Sequence, residues 1–270
     1  MLEALSEMWK DFIPADQLAT FRQGGYYAVD VGAGVRVLSL NTLYFFDSND
    51  AVKGCSQSGP GNDHFTWIRD QLDRARQDRA RVYMIGHVPP SPRTFYDSCL
   101  ETYTNISHEY RDIIAGHMYG HVNMDHFMVL EPSHNATIES ADGYISKLRK
   151  QYKYAANNSV IVHVAPPLLP VYNPAFRINE YNVSPGSPHF GSWQKYTQYY
   201  TDLNYFNELY LPEQHPPQFI IEYATDTEYG LQDLSAESWV DLAHRLTNES
   251  RESQMLWKTF VNNVFVQTQQ

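Results

Sequence analysis

The chain has 270 residues, of which 43% are hydrophobic and 19% charged, so a sizeable packed core forms and wholesale disorder is excluded. Twenty Lys and Arg against thirty-one Asp and Glu leave a net charge of −11, which argues against a nucleic-acid binder or an anionic-membrane binder, because both need a basic face. No apolar run approaches the roughly 18 residues of a membrane span, and the acidic Met1–Glu7 start lacks the basic and apolar regions of a signal peptide.

Leu5, Met8, Trp9 and Phe12 recur at helical spacing, predicting a helix over Met1–Arg22 that Gly24-Gly25 stops. Two strands follow, Tyr26–Val31 and Val35–Leu40, joined as a hairpin through Gly32-Ala33-Gly34. Asn62 or Asp63 is placed to cap a helix whose apolar stripe is Phe65, Ile68, Leu72 and Ala75. Arg81–Ile85 reads as a strand that ends in Gly86-His87-Val88-Pro89-Pro90. The order strand, helix, strand predicts a layered α/β unit.

Ser107–Asp112 reads as helical, and Ile113-Ile114-Ala115 as a short buried strand that turns at Gly116-His117. Gly120-His121-Val122-Asn123 precedes a strand over His126–Leu130. Residues 146–156 pattern as a basic helix, Val160–Val164 as a strand, and 166–174 as a proline-rich loop. The Tyr- and Trp-rich run at 193–210 suits packing better than a binding platform, and Gln218–Tyr223 reads as a strand. Two amphipathic helices close the chain, one capped by Ser235 with Trp239, Leu242 and Leu246, the other holding Leu256, Phe260, Val264 and Phe265. Without a repeat or linker, the expectation is a single domain over 1–270, with a core at 24–180 and a helical extension at 190–270.

Compartment signals point outward. Five Asn-x-Ser/Thr sequons occur, at Asn105, Asn135, Asn157, Asn182 and Asn248. Cys55 and Cys99 both sit in stretches that read as loops, and the sequons favour a disulfide between them over two free thiols. Sequons and paired cysteines without an export signal imply a fragment whose targeting segment lies upstream.

Chemistry concentrates at histidines. His87 ends an apolar strand run, and His117 and His121 flank a Gly-rich turn just beyond another. Ligands of open α/β sheets gather at the carboxyl ends of strands, and neutral imidazole is the commonest metal ligand. Singly, each histidine has the plainer reading of a hydrogen-bonded loop residue. Arg69, Arg74, Arg76, Arg79 and Arg81 interleave with Asp70, Asp73 and Asp78, which favours a solvated helix face. Lys147, Arg149, Lys150 and Lys153 form a purer positive cluster, open to polyanion steering or to an ordinary exposed helix.

Gly86-His87-Val88-Pro89-Pro90, followed by Gly120-His121-Val122-Asn123-Met124-Asp125-His126-Phe127, resembles the last two blocks of the calcineurin-like metallophosphoesterases. Within these the chain is similar to the acid sphingomyelinase-like branch, and closest to the fungal vacuolar endopolyphosphatases. The resemblance includes Gly24–Tyr27, Leu38–Thr42, Ala165-Pro166 through Asn173-Pro174-Ala175-Phe176-Arg177, and the C-terminal helix pair. It implies an α/β sandwich of mixed sheets flanked by helices, incomplete at its N-terminus. It also implies two divalent metal ions, of the Zn, Mn, Co or Mg class, that clamp a phosphoryl group. His87 and His121 fall to one metal. The block's usual second histidine is Asn123 here, and His117 is a candidate to compensate.

The family's earlier Asp-x-His, Gly-Asp and Gly-Asn-His blocks are absent, so the bridging carboxylate and the proton donor are expected upstream of residue 1. The implied reaction is hydrolysis of internal phosphoanhydride bonds of inorganic polyphosphate, in a vacuole-like lumen or outside the cell, with any membrane anchor in the missing segment. The alternatives are a sphingomyelinase-like phosphodiesterase, which would be expected to carry His at position 123, and a catalytically inactive binding or regulatory domain.

Overall fold

The structure is a computed structural model that describes residues 1–32, 34–130, 159–169, 171–184, 186–208 and 215–268. These gather into two compact units, Met1–Tyr119 with Leu130, and Gly120–Val129 with the residues from Ser159 on. The basic segment with Lys147, Arg149, Lys150 and Lys153, and the sequons at Asn135 and Asn157, lie outside the described residues.

The first unit opens with α1 (Leu2–Met8) and α2 (Leu18–Gly24) in place of the single helix expected over Met1–Arg22. Pro14 is the reason: it lacks an N–H and caps a short 3₁₀ turn, Ala15–Gln17, between the two. Strands β1 (Tyr27–Gly32) and β2 (Val35–Ser39) pair antiparallel as a hairpin. The next helix, α3 (Pro60–Asp78), begins before the expected caps Asn62 and Asp63, because Pro60 suits the first helical turn, where no N–H is needed. It buries His64, Phe65, Ile68, Leu72 and Ala75 along one stripe.

Strand β3 (Arg81–Ile85) pairs parallel with β2, from Val35↔Arg81 to Ser39↔Ile85. Helix α4 (Asp97–Glu109) replaces the helix expected at Ser107–Asp112 and carries Cys99, which is therefore helical and not in a loop. Strand β4 (Ile114–Tyr119) runs straight through Gly116-His117, where a turn was expected. Gly116 pairs with Tyr83 and His117 with Met84, so the parallel ladder holds both in extended backbone. Cys55 and Cys99 form a disulfide with Cα atoms 4.9 Å apart, tying the loop before α3 to α4. Leu38, Ile68, Leu72, Val82 and Met84, all 0% exposed, form the core between helix and sheet.

The arginine-rich face of α3 is neutralised locally. Arg69 pairs with Glu109, Arg74 with Asp70 at 2.8 Å, and Arg76 with Asp112 at 2.5 Å.

In the second unit β5 (His126–Leu130) lies beside β6 (Val160–Val164), and every residue of β6 is buried. A separate antiparallel sheet, in the order β7-β8-β9, is built from β7 (Ala175–Tyr181), β8 (Trp193–Tyr200) and β9 (Ile220–Ala224). Short helices α5 (Leu203–Glu208) and α6 (Thr225–Glu228) flank β9. Helices α7 (Ala236–Thr247) and α8 (Arg251–Val264) start at Ser235 and Ser250, whose hydroxyls accept from the N–H three residues on. Trp239 of α7 and Phe260 of α8 pack on Phe127 of β5 at 4.7 and 6.0 Å between ring centroids, and Trp239 also meets His163 of β6 at 4.7 Å. Among the described residues no helix is long and apolar enough to cross a membrane.

Candidate metal centre

Strands β2, β3 and β4 run the same way, so their carboxyl ends share one edge of the first unit's sheet. β3 leaves that edge through Gly86-His87, and β4 leads directly into Gly120-His121. Both motif histidines therefore follow neighbouring parallel strands, where α/β sheets place ligands.

The His87 loop is fixed from beneath. Gly86 N–H donates to Met118 O at 3.1 Å, and Val88 N–H donates to the buried Thr42 Oγ1 at 2.8 Å. Val88, Pro89 and Pro90 are buried while His87 itself is exposed. A Cβ on Gly86 would meet Thr42 Cγ2 at 2.7 Å and the Tyr119 ring at 2.8 Å, so only glycine lets the three segments approach this closely.

The second loop is strained. His121 has φ +69° and Asn123 φ +61°, left-handed values that cost a side-chain-bearing residue on the order of 1 kcal/mol or more. Asn and His tolerate this region better than most residues. Between them, Val122 N–H closes a tight bond to Gly120 O at 2.8 Å. His121 and Asn123 are half-buried, and the strand that follows is held at Asp125, which is 4% exposed.

His117 has a different setting from the strand exit expected of it. It is 3% exposed within β4, its Nδ1 shares a 2.7 Å hydrogen bond with the Tyr103 hydroxyl, and that hydroxyl meets the Tyr119 hydroxyl at 2.5 Å. Burial pushes its pKa down to about 3, so the ring is neutral.

Asp125 anchors a buried polar network that the residue pattern had not singled out. Its carboxylate accepts from Arg177 Nη2 with one oxygen and from the Tyr223 hydroxyl with the other. Arg177 Nε donates to Gln198 Oε1 at 2.7 Å, and Gln198 Nε2 donates to Glu222 Oε2 at 2.7 Å. Burial raises the Glu222 carboxyl to about 6, against the opposing pull of its Gln198 and Gln267 donors. In the sequence Arg177 stands only within the Asn173-Pro174-Ala175-Phe176-Arg177 motif. The signal for its role was a lone Asp two residues beyond Asn123, which needs a partner once buried.

As residue types, His121 and Asn123 of the second unit offer an imidazole and an amide oxygen, donors that suit a borderline divalent ion. They do not suit two, because a shared pair needs a bridging carboxylate. Among the described residues no group of three or more His, Cys, Asp and Glu is placed to hold a metal.

No family model matches the chain. Curated relatives do. It is 32% identical to the endopolyphosphatase of Yarrowia lipolytica over 225 residues, covering 66% of this chain and 30% of that protein. It is 29% identical to the Schizosaccharomyces pombe endopolyphosphatase over 249 residues, 82% of this chain and 42% of the relative. It is 42% identical to the Saccharomyces cerevisiae endopolyphosphatase over 123 residues, 45% of this chain and 18% of the relative. The chain thus matches less than half the length of each of these relatives. By sequence, the chain is similar to part of the fungal endopolyphosphatases.

Proposed function

We propose that the chain serves hydrolysis of internal phosphoanhydride bonds in inorganic polyphosphate, contributing His87, His121 and Asn123 to a two-metal site. The carrying observation is the placement of His87 and His121 directly after β3 and β4, in a sequence related to endopolyphosphatases. A divalent ion at these donors would polarise a phosphoryl oxygen and lower the pKa of water. The chain's own part is to bind and orient that ion. His87 offers an exposed imidazole on a braced loop, and His121 and Asn123 stand two residues apart on the strained turn. Asn123, in place of histidine, favours polyphosphate over a sphingomyelinase-like substrate by the family resemblance.

His87, His121 and Asn123 can at best anchor one ion firmly, so residues 1–270 alone are expected to hydrolyse polyphosphate only marginally, and the absence of the family's other ligand blocks from this sequence favours a binding or regulatory role as the second reading. The basic cluster Lys147, Arg149, Lys150 and Lys153 remains the proposed polyphosphate-steering segment, and a single domain the proposed organisation. An acidic vacuole-like lumen or the exterior is the proposed location, with N-glycans at the five sequons. The Cys55–Cys99 disulfide and the exposed Asn105 and Asn248 support that placement.

The test titrates the chain with Co²⁺ and Mn²⁺ and follows long polyphosphate on gels beside the full-length Schizosaccharomyces pombe relative. Uptake of one ion, lost in His87→Ala and in His121→Ala, with cleavage below about a hundredth of the relative's rate, is the expected result. No ion uptake overturns the site, and cleavage at the relative's rate overturns the account of which donors are needed.

A further inference from the structure

The strained turn needs something to hold it. Two successive left-handed side-chain residues, separated only by Val122, persist when the surrounding structure over-determines them. The turn's downstream end provides this. Only Met124 separates Asn123 from Asp125, and Asp125 is pinned from three elements at once. Arg177 of β7 and Tyr223 of β9 each hold one carboxylate oxygen, while the Asp125 N–H donates to Val264 O at the end of α8, at 3.0 Å. His126 Nδ1 shares a 2.9 Å hydrogen bond with Met124 O, which fixes the intervening peptide.

The clamp is itself immobilised. The Arg177 side chain is 8% exposed, its Nε is engaged by Gln198, and its guanidinium lies 4.3 Å from the centroid of the Tyr196 ring. The Tyr223 hydroxyl also meets the Tyr196 hydroxyl at 3.0 Å. A buried ion pair contributes little net stability compared with apolar residues of the same volume, because both charges are desolvated. What such a pair supplies well is a fixed register, since a one-residue slip of Asp125 would leave an uncompensated buried arginine.

We infer that the Asp125–Arg177–Tyr223 clamp sets the conformation of the Gly120–Asn123 turn, making Arg177 and Tyr223 positioning residues for the ligands His121 and Asn123. The inference rests on the metal-site reading for its functional consequence but not for its structural one. Groups that orient metal ligands change metal affinity by about 10- to 100-fold when removed. Neither Arg177 nor Tyr223 touches the ion in this scheme. Each acts through Asp125 and the backbone.

The test compares wild type with Tyr223→Phe, which keeps the ring and removes one hydrogen bond, and with Arg177→Lys, which keeps the charge and loses the forked geometry. Two readouts are taken on the 270-residue chain. Amide hydrogen exchange over residues 120–125 is measured without metal, with β3 as internal reference, and Co²⁺ affinity is measured by visible absorbance. We expect exchange at Val122 to rise about 10-fold or more in both variants while β3 is unchanged, and Co²⁺ affinity to fall about 10-fold in Tyr223→Phe. Unchanged exchange in the turn overturns the clamp. So does faster exchange spread equally over β3, which is what a merely structural loss gives, and so does unchanged Co²⁺ affinity. If wild type takes up no Co²⁺, the metal reading fails, and the exchange data alone decide the clamp. Should Arg177→Lys fail to fold, Tyr223→Phe decides it.

Discussion

His64 of α3 is a buried titratable group whose removal should change how the chain responds to acid. It is 0% exposed, stacked on Tyr26 at 4.1 Å and on Phe45 at 5.1 Å between ring centroids. Among the described residues, neither ring nitrogen makes a hydrogen bond of normal geometry. Burial pushes its pKa from the ordinary 6.5 to about 3, with the nearby Asn41 backbone offsetting a little. The sign follows directly. The unfolded chain takes up this proton near pH 6.5 and the folded chain only near 3, so the stability it contributes is present above 6.5 and is lost as pH falls through that window. At pH 4.5 the folded imidazole forgoes two units of protonation, or about 2.7 kcal/mol.

His64→Phe keeps an aromatic ring in the stack and removes both the proton and the unpaired nitrogens. Urea unfolding followed by fluorescence, with Trp67 only 5.8 Å from the His64 ring, measures both proteins at pH 7.5, 6.0 and 4.5. The stability difference should move in favour of His64→Phe by about 2–3 kcal/mol between pH 7.5 and 4.5, while other titrating groups cancel. Parallel stability curves, agreeing within about 0.5 kcal/mol across that range, would refute the reasoning.

Glu222 predicts the opposite trend. Its folded pKa of about 6 exceeds the ordinary value of 4.5, so its stabilisation is fully present below 4.5 and is lost as pH rises through 6. Glu222→Gln should gain at most about 2 kcal/mol relative to wild type between pH 4.5 and 7.5, less where solvent screens this half-buried group, and a flat difference in urea titrations would contradict it. Replacing Cys55 and Cys99 together by serine should cost about 4 kcal/mol in the chain-entropy account, since the bridge spans a separation of 44 residues; a loss under about 1 kcal/mol in urea would count against it. Asn123→Gly should keep or raise thermal stability, because glycine accepts φ +61° freely, while Asn123→Ala should lose about 1 kcal/mol. Both should bind Co²⁺ more weakly; full retention of Co²⁺ affinity in Asn123→Gly would remove the amide from the ligand set.

The sequence carried some of this molecule and hid the rest for identifiable reasons. β3, β5 and β6 match the expected bounds because each is a run of apolar residues long enough for a buried strand. β4 was cut short because Gly116-His117 has the composition of a turn, and only the ladder to Tyr83 and Met84 shows otherwise. A turn there would put His117 at a strand exit, whereas the ladder buries it against Tyr103. At the site, short motifs displayed His87 and His121, because a glycine and a histidine at a strand end lie next to each other in the chain. The left-handed backbone was not legible, since neither His121 nor Asn123 is glycine. Nor was the clamp: Arg177 lies 52 residues and Tyr223 98 residues from Asp125, far beyond any local pattern. Short motifs thus display the proposed ligands, whereas the groups argued to hold them in place come from β7, β9 and α8. Substitutions in those three elements, remote in sequence from every recognisable motif, are accordingly where loss of metal affinity without loss of fold is to be sought first.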